Sequence, residues 1–144
     1  MTRVALDANV LAPGFLGTTS VSARLVALWR RRAYELVVSE HLLAELTRAY
    51  SDPYFRQRIG PDQVADVLRL LRRQAIVTVL TVPVVAVATQ PKDDLVLSTA
   101  LSGGATYLAT RDRQLLKIGD YQGLRIVSPG RLLALLTEAD DEQP

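Results

Sequence analysis

The chain has 144 residues and a mass of 15.8 kDa, the size of one domain that can bury a substantial core. Its hydrophobic content of 49% excludes an intrinsically disordered chain, and the absence of cysteine excludes disulfide bonds and thiolate metal sites. The net charge of +2 is too small for the polycation that is typical of many nucleic-acid binders.

Strand-like and helix-like segments alternate along the first half of the chain. Short apolar runs rich in β-branched residues are typical of buried strands, whereas apolar residues at a spacing of three and four predict helices. The predicted elements are a strand at Arg3–Asp7, a loop with Pro13, Gly14 and Gly17, a helix from about Ser20 to Arg32, a strand at Glu35–Val38, and a helix from the N-cap Ser39 to about Tyr50.

The second half continues the alternation. The predicted elements are helices at Tyr54–Arg58 and Pro61–Gln74, a strand at Ile76–Val82, a helix at Asp93–Ser102, a strand at Thr106–Ala109, a helix at Gln114–Ile118, a turn at Gly123, a strand at Arg125–Val127, and a helix from about Pro129 to Glu138. Repeated strand–helix alternation predicts a parallel sheet that is covered by helices on both faces.

Four acidic residues stand where a carboxylate is costly: Asp7, Glu45, Asp94 and Asp112. Three of them lie at the carboxyl end of a predicted strand or at the start of the following helix. In an open α/β sheet that edge is where ligands bind. Carboxylates gathered there without a matching lysine repel one another, and a bound hard cation is the usual remedy. The pattern therefore indicates a metal-dependent active site.

Each of these acids also has a purely structural interpretation. Asp7 and Asp112 suit Asx-turns or caps, and Glu45 lies at the margin of an apolar helix face, where a solvated side chain is common. At a helix N-terminus either Asp93 or Asp94 gains from unpaired amides and the helix dipole. We expect one of this pair to cap the helix and the other to enter the cleft.

Four segments of this chain have sequence patterns that occur together in a known protein family. The segments are LDANV at residues 6–10, SEHLLAEL at 39–46, KDDLVLSTALSGGA at 92–105, and YLATRDRQLL at 107–116. In this order they resemble PIN-domain proteins, in particular the VapC-like toxin components of bacterial toxin–antitoxin pairs. The resemblance extends to about Leu136.

The resemblance implies a fold, an activity and partners. The fold is a three-layer α/β/α sandwich around a mostly parallel, twisted sheet of four to five strands. The activity is that of a Mg²⁺- or Mn²⁺-dependent endoribonuclease that leaves 5′-phosphate and 3′-hydroxyl ends. The partners are RNA, a cognate antitoxin protein and, as often in this family, a second copy of the chain.

The resemblance also assigns the site residues. Asp7, Glu45, Asp94 and Asp112 match the catalytic acids, and the first, third and fourth match the metal ligands. The supporting positions are Asn9, Thr110 and Asp93. Apart from the resemblance, the planar guanidinium of arginine suits phosphate recognition, and the candidate substrate-binding residues are Arg24, Arg30 and Arg111. One departure affects this assignment. Members commonly carry a further Asp-Pro before the acidic pair, where this chain has residues 89–92, Thr-Gln-Pro-Lys. The choice of Asp94 over Asp93 therefore stays open.

Other functional classes fit the residues less well. A haloacid-dehalogenase-type phosphatase needs a second Asp two residues after Asp7, where this chain has Asn9. A receiver-like domain needs an acidic pair after the first strand and a late lysine. With His41 as the single histidine and no cysteine, a catalytic zinc site or a papain-type dyad is not supported. The serious competitor is a catalytically silent PIN scaffold that binds RNA or a protein.

The sequence further predicts one nuclease domain over residues 1–137 and an acidic, disordered tail over residues 138–144. The longest apolar region, Ala75–Ala88, is interrupted by Thr78, Thr81 and Pro83 and is too short to span a bilayer. No segment near Met1 has the pattern of a signal peptide. We therefore expect a soluble, cytoplasmic protein without membrane contact.

Overall fold

A single sheet forms the centre of the molecule. The structure, a computed structural model, describes the backbone of residues 1–141 and the side chains of residues 1–138. The strands are β1 (Arg3–Leu6), β2 (Glu35–Val38), β3 (Ile76–Val77), β4 (Tyr107–Ala109), β5 (Asp120–Tyr121) and β6 (Leu124–Val127). Their order is β3-β2-β1-β4-β6-β5, and all neighbours are parallel except β5 and β6.

Helices cover both faces of the sheet. They are α1 (Ala8–Gly14), α2 (Val21–Arg30), α3 (Glu40–Tyr50), α4 (Pro53–Arg56), α5 (Pro61–Gln74), α6 (Pro91–Ser102), α7 (Arg113–Ile118) and α8 (Pro129–Asp141). One core contains residues of α1, α2, α3, α5 and α8, and a second core contains residues of α6 and α7. This arrangement confirms the predicted α/β/α sandwich, with six strands instead of the expected four to five.

Alternation along β1 separates the two cores. Val4 and Leu6 pack into the core of the first helical layer, whereas Ala5, between them, packs into the core of the second. Successive side chains of a strand point to opposite faces, so a strand covered on both sides is apolar throughout. Asp7 is therefore the first polar side chain at the carboxyl end of a fully buried strand.

Helix α1 corrects the predicted loop at Pro13 and Gly14. Asp7 is its N-cap, and the Asp7 carboxylate accepts a hydrogen bond from the amide of Ala8 at 2.8 Å. Proline is tolerated in this last turn, and a Cβ on Gly14 would lie 2.5 Å from Cγ2 of Val26. The glycine is thus required for the close approach of α1 and α2, and the absence of its side chain does not mark a loop.

Strand β3 is shorter than the predicted Ile76–Val82. It pairs with β2 only as far as Val38 opposite Val77, and the amide of Thr78 donates the last bond to the Val38 carbonyl at 2.8 Å. The next residue, Ser39, caps α3 through the amide of Leu42. The partner strand ends there, so the β-branched run that follows has nothing to pair with.

The C-terminal helix is longer than predicted. Helix α8 continues to Asp141, three residues beyond its expected end near Glu138. Residues 142–144 of the predicted acidic tail lie outside the described residues, and the division into a domain and a tail stays a prediction. Within the described part of the chain, no helix is long and apolar enough to cross a membrane.

Candidate active site

Acidic side chains from four parts of the chain meet in one cavity at the carboxyl edge of the sheet. The cavity has a volume of about 760 Å³ and is lined by residues of α1, α3, α4 and α6 and by the segment after β4. Asp7, Glu45, Asp93 and Asp112 all line it. Strands β1 and β4 are adjacent and parallel, so the residues that follow them emerge side by side.

Asp7 is the most constrained of these acids. Its side chain is buried, with 8% of the residue exposed, and it accepts hydrogen bonds from the Ala8 amide and from the Thr110 hydroxyl, both at 2.8 Å. Burial raises the pKa of Asp7 above its ordinary value, and these two hydrogen bonds lower it in part. The charges of Asp112 and Glu45 add to the rise.

Thr110 connects the ends of β1 and β4. Its hydroxyl donates to Asp7 Oδ2 and accepts from the amide of Asp112 at 3.1 Å and from Asn9 Nδ2 at 3.4 Å. Asn9 Oδ1 in turn accepts from the amide of Arg111 at 3.1 Å. Thr110 is fully buried, so its rotamer is fixed by this network. Thr110 and Asn9, two of the three predicted supporting residues, thus hold the backbone and the Asp7 carboxylate in place.

Asp112 combines a cap with a place in the cavity. It is the N-cap of α7, and its Oδ1 accepts from the amides of Gln114 at 2.8 Å and Leu115 at 3.4 Å. Both bonds use the same oxygen. Asp112 therefore fulfils the structural interpretation of its sequence position while it also lines the cavity.

Glu45 projects into the cavity from α3. The Arg48 guanidinium, one turn along the helix, pairs with Glu45 Oε1 at 2.8 Å, and the Glu45 side chain is 21% exposed. His41 lies on the same helix and contacts the backbone carbonyl of Lys92 through Nε2 at 3.1 Å. His41 therefore connects α3 to the start of α6. Among the described residues, it makes no hydrogen bond with Glu45.

The two neighbouring aspartates of α6 face different surroundings. Asp93 lines the cavity, and burial raises its pKa above the ordinary value, with further increases from the charges of Asp112, Asp7 and Glu45. Lys92 lowers it in part. Asp93 is therefore the acid of α6 that interacts with the charges of Asp7, Glu45 and Asp112, and it joins them as a candidate metal ligand.

Asp94 points elsewhere, and the sequence-based preference for it over Asp93 is not what the structure favours. Its carboxylate accepts three backbone hydrogen bonds, from the amides of Ala86 at 3.0 Å, Val87 at 3.1 Å and Ala88 at 2.6 Å. Asp94 is not among the residues that line the cavity. Consecutive residues of a helix point about 100° apart, so only one of the pair can face the cavity.

The predicted substrate-binding arginines are divided between the cavity and other surfaces. Arg111 lines the cavity and donates from Nη2 to the Ser22 hydroxyl at 3.0 Å. Arg24 and Arg30 are exposed on α2 and do not line it. Arg30 borders a separate cavity together with Arg32 and Arg73. The structure thus brings only Arg111 of these three to the acids.

Sequence reasoning missed five further charged or aromatic residues of the cavity: Arg48, Asp52, Tyr54, Phe55 and Lys92. Arg48 follows Glu45 by three residues, and Lys92 precedes Asp93, so their proximity to the acids was available from helical spacing. The aromatic pair carried no such signal, because its placement depends on the turn between α3 and α4.

The donor set fits a hard divalent cation in its chemistry. Mg²⁺ prefers one or two carboxylates and keeps several waters, and this cavity offers carboxylate oxygens without histidine or thiolate. Five acids and three bases line it, so its charge is negative. Within the described residues, no group of three or more acids or imidazoles is already arranged to hold a metal ion. The acids therefore fit a cation by type and location, and they would need side-chain rotation to converge on it.

Comparison with models of protein families gives a match over most of the chain. The family model described as PIN domain matches residues 3–114, more than three quarters of the chain and the whole of the acidic site. No curated protein matches the chain.

Proposed function

The chain belongs to the PIN domain family, whose members are generally nucleases that act on RNA, and we propose that it is a divalent-metal-dependent endoribonuclease. One observation carries the proposal: four acids that are far apart in sequence line one cavity, and two of them have pKa values raised in part by the charges of the others. Carboxylates that gather in a cleft and have perturbed pKa values are typical of functional sites.

The charge of the cavity supports a metal-dependent reaction. RNA is a polyanion, and five acids against three bases repel a phosphate that approaches the floor of the cavity. Asp7, Asp93 and Asp112 would hold the cation, with Asp93 in the role first expected of Asp94. When bound, Mg²⁺ or Mn²⁺ supplies positive charge that offsets the phosphodiester and assists formation of the attacking hydroxide.

The remaining residues of the cavity position these groups. Thr110 fixes Asp7 through its hydroxyl, and Arg48 holds Glu45 beside the cavity, where Glu45 can accept a proton from an attacking water. Lys92 and Arg111 also line the cavity, where their positive charges can contact the phosphates on either side of the scissile bond. In-line attack of water on phosphorus breaks the P–O3′ bond and leaves 5′-phosphate and 3′-hydroxyl ends.

The activity is tested by cleavage of a mixed pool of end-labelled RNAs with wild type and Asp7→Asn, each in Mg²⁺, in Mn²⁺ and in EDTA. We expect cleavage only by wild type with metal, and product ends that a ligase requiring 5′-phosphate accepts. Metal-dependent thermal stabilisation gives a readout that does not need the right substrate, because a ligand of the folded state raises Tm. No cleavage and no stabilisation would favour the silent scaffold.

A cellular role as the toxin of a toxin–antitoxin pair is the finer part of the proposal. It is supported by the likeness of the four motifs to VapC-like toxins, and it includes a cognate antitoxin and a homodimer as partners. Inducible expression in a bacterium tests it. We expect wild type to arrest growth and Asp7→Asn, at equal expression, to have no effect. Unimpaired growth with an active nuclease would argue for a different cellular role.

A further inference from the structure

The acid-lined cavity extends to an aromatic surface that the proposed reaction does not use. Tyr54 and Phe55 of the short helix α4 line the same cavity as Asp7 and Asp93. Tyr54 is 55% exposed. Exposed apolar side chains are common singly, but an aromatic ring that lies open beside convergent polar groups marks a place where a ligand can bind.

The ring of Tyr54 is held by a relay of aromatic contacts that starts in the core. Tyr50 is buried, and its hydroxyl donates to the Ala12 carbonyl of α1 at 2.8 Å. The Phe55 ring packs edge to face on Tyr50, with centroids 5.5 Å apart, and edge to face on Tyr54 at 5.1 Å. The exposed ring is therefore attached to the helix that begins at Asp7, and its position relative to the acids is fixed.

Arg58 covers one side of the same ring. Its guanidinium carbon lies 3.7 Å from the Tyr54 ring centroid, and its Nη1 donates to the Tyr54 carbonyl at 2.6 Å. Arg58 borders a different cavity, with Phe15 and Ile59, and does not line the one that holds the acids. Arg58 thus contacts the ring from outside the acid-lined cavity, and Tyr54 itself lines that cavity.

From these contacts we infer that Tyr54 is a stacking platform for an unpaired base of the RNA substrate, next to the phosphate that is cleaved. The inference rests on the proposed nuclease function and assigns a residue of this chain to the base beside the cleaved phosphate. Bases stack on aromatic side chains only when they are out of the duplex, and single-strand binders combine such rings with cations that follow the backbone. Arg48, Lys92 and Arg111 provide those cations along the same cavity.

The platform explains how a negatively charged cavity gains affinity for a nucleic acid. A base is neutral, so stacking on Tyr54 is not opposed by the acids, whereas each phosphate contact is. Stacking also differs from phosphate contacts in its salt dependence, because no counterions are released when a base meets a ring. The contribution of Tyr54 to binding should therefore be the same at low and at high salt.

The test measures binding of a short fluorescein-labelled single-stranded RNA by anisotropy, in Mg²⁺, with cleavage silenced by Glu45→Gln. Adding Tyr54→Ala to this chain should raise Kd by roughly 5- to 100-fold, the range for loss of one base–aromatic stack. Tyr54→Phe keeps the ring and should bind as the parent does. Tyr121→Ala, which removes a partly exposed tyrosine that does not line the cavity, is the matched control and should also bind as the parent does.

Four results would overturn the inference. In the first, the Tyr54→Ala chain binds RNA with the affinity of the parent. In the second, Tyr54→Phe loses as much RNA affinity as Tyr54→Ala does. In the third, the parent binds a duplex that contains the same strand as tightly as it binds the single strand. Absence of RNA binding by the parent would overturn it as well. Folding is checked independently by Tm, which we expect to change little because Tyr54 is exposed.

Cleavage by the chain with intact Glu45 separates this inference from the proposed function. Weakened binding in Tyr54→Ala without cleavage by wild type would leave the platform standing and reject the nuclease. If wild type cleaves RNA and Tyr54→Ala cleaves it with the same KM, the nuclease is supported and the stacking role of Tyr54 is rejected. Where both hold, Tyr54→Ala should raise KM by the same factor as Kd and change kcat less.

Discussion

Two carboxylates at the start of α6 are adjacent in sequence and opposite in their surroundings. Asp94 faces the segment before the helix, where three backbone amides satisfy it. Asp93 faces a cavity that it shares with four other acids, and its pKa is raised by burial and by the charges of three of them, Asp112, Asp7 and Glu45. One residue stabilises the fold, and the other is held in an environment that costs stability.

The difference shows how a structural acid can be told from a functional one. Both are buried, and both occupy the first turn of a helix, so burial and helix-dipole arguments do not separate them. What separates them is the identity of their partners. Several N–H donors stabilise a buried charged carboxylate, whereas a carboxylate surrounded by like charges is stabilised in its charged form only when a cation binds.

The largest expected effect concerns catalysis. Asp93→Asn should reduce RNA cleavage by about 10³-fold or more, because it removes a charged ligand of the proposed metal site. Asp94→Asn should keep most of the activity per folded molecule, since its side chain lies outside the cavity. Initial rates with a single labelled RNA, normalised to folded protein by Tm and circular dichroism, compare the two. Equal losses of cleavage rate in the two variants would contradict the different roles of Asp93 and Asp94.

The second effect concerns folding, and here substitution of Asp94 should cost more than substitution of Asp93. Asp94→Ala leaves three amides of residues 86–88 without an acceptor and frees Ala86, which is held at a φ of 57°. We expect a loss of roughly 2–3 kcal/mol in the free energy of unfolding, as for buried donors that lose a partner. Asp93→Ala, measured by urea denaturation in EDTA, should be neutral or stabilising. A larger loss for Asp93→Ala would contradict the account.

A third prediction concerns the support of Asp7. Thr110→Val removes the hydroxyl that donates to Asp7 Oδ2 and accepts from the Asp112 amide, at nearly constant volume. We expect metal affinity and cleavage to fall about 10- to 100-fold, the usual cost of losing a residue that orients a ligand. Thr110→Ser should recover most of both. Wild-type metal affinity in Thr110→Val would show that Asp7 needs no such support.

The smallest effect is a pH dependence of the metal-free protein. The pKa of Asp93 is raised on folding, so the folded state binds its proton more tightly than the unfolded state does. The resulting stability is present below the unfolded pKa of about 4 and is lost as pH rises through the raised value. In EDTA, Asp93→Asn should therefore gain about 2–4 °C in Tm over wild type between pH 4 and pH 7. A Tm difference between Asp93→Asn and wild type that becomes smaller as pH rises would contradict a raised pKa of Asp93.

Much of this arrangement was predictable from the sequence. Asp7 and Asp112 follow apolar strands, and the carboxyl ends of neighbouring parallel strands meet, so their proximity needs only the alternation of elements. The α/β/α layers follow from the same alternation. Ser39 as the N-cap of α3 and the strand at Glu35–Val38 also followed from local chemistry alone.

The choice between Asp93 and Asp94 was not predictable, for a physical reason. A shift of one residue turns a helical side chain by about 100°, and α6 begins at Pro91, two residues earlier than expected. The amides that satisfy Asp94 belong to a segment without regular structure, whose path no periodicity encodes. Helix α1 was missed for a related cause, because Pro13 and Gly14 are typical of loops and their role in packing depends on α2.

The measurement that tests the central claim most directly is calorimetric titration of Mn²⁺ into wild type, Asp93→Asn and Asp94→Asn at neutral pH. The account predicts binding to wild type, an affinity at least about 10-fold lower in Asp93→Asn, and an affinity within about 2-fold of wild type in Asp94→Asn. It would be contradicted by wild-type affinity in Asp93→Asn, or by a loss confined to Asp94→Asn.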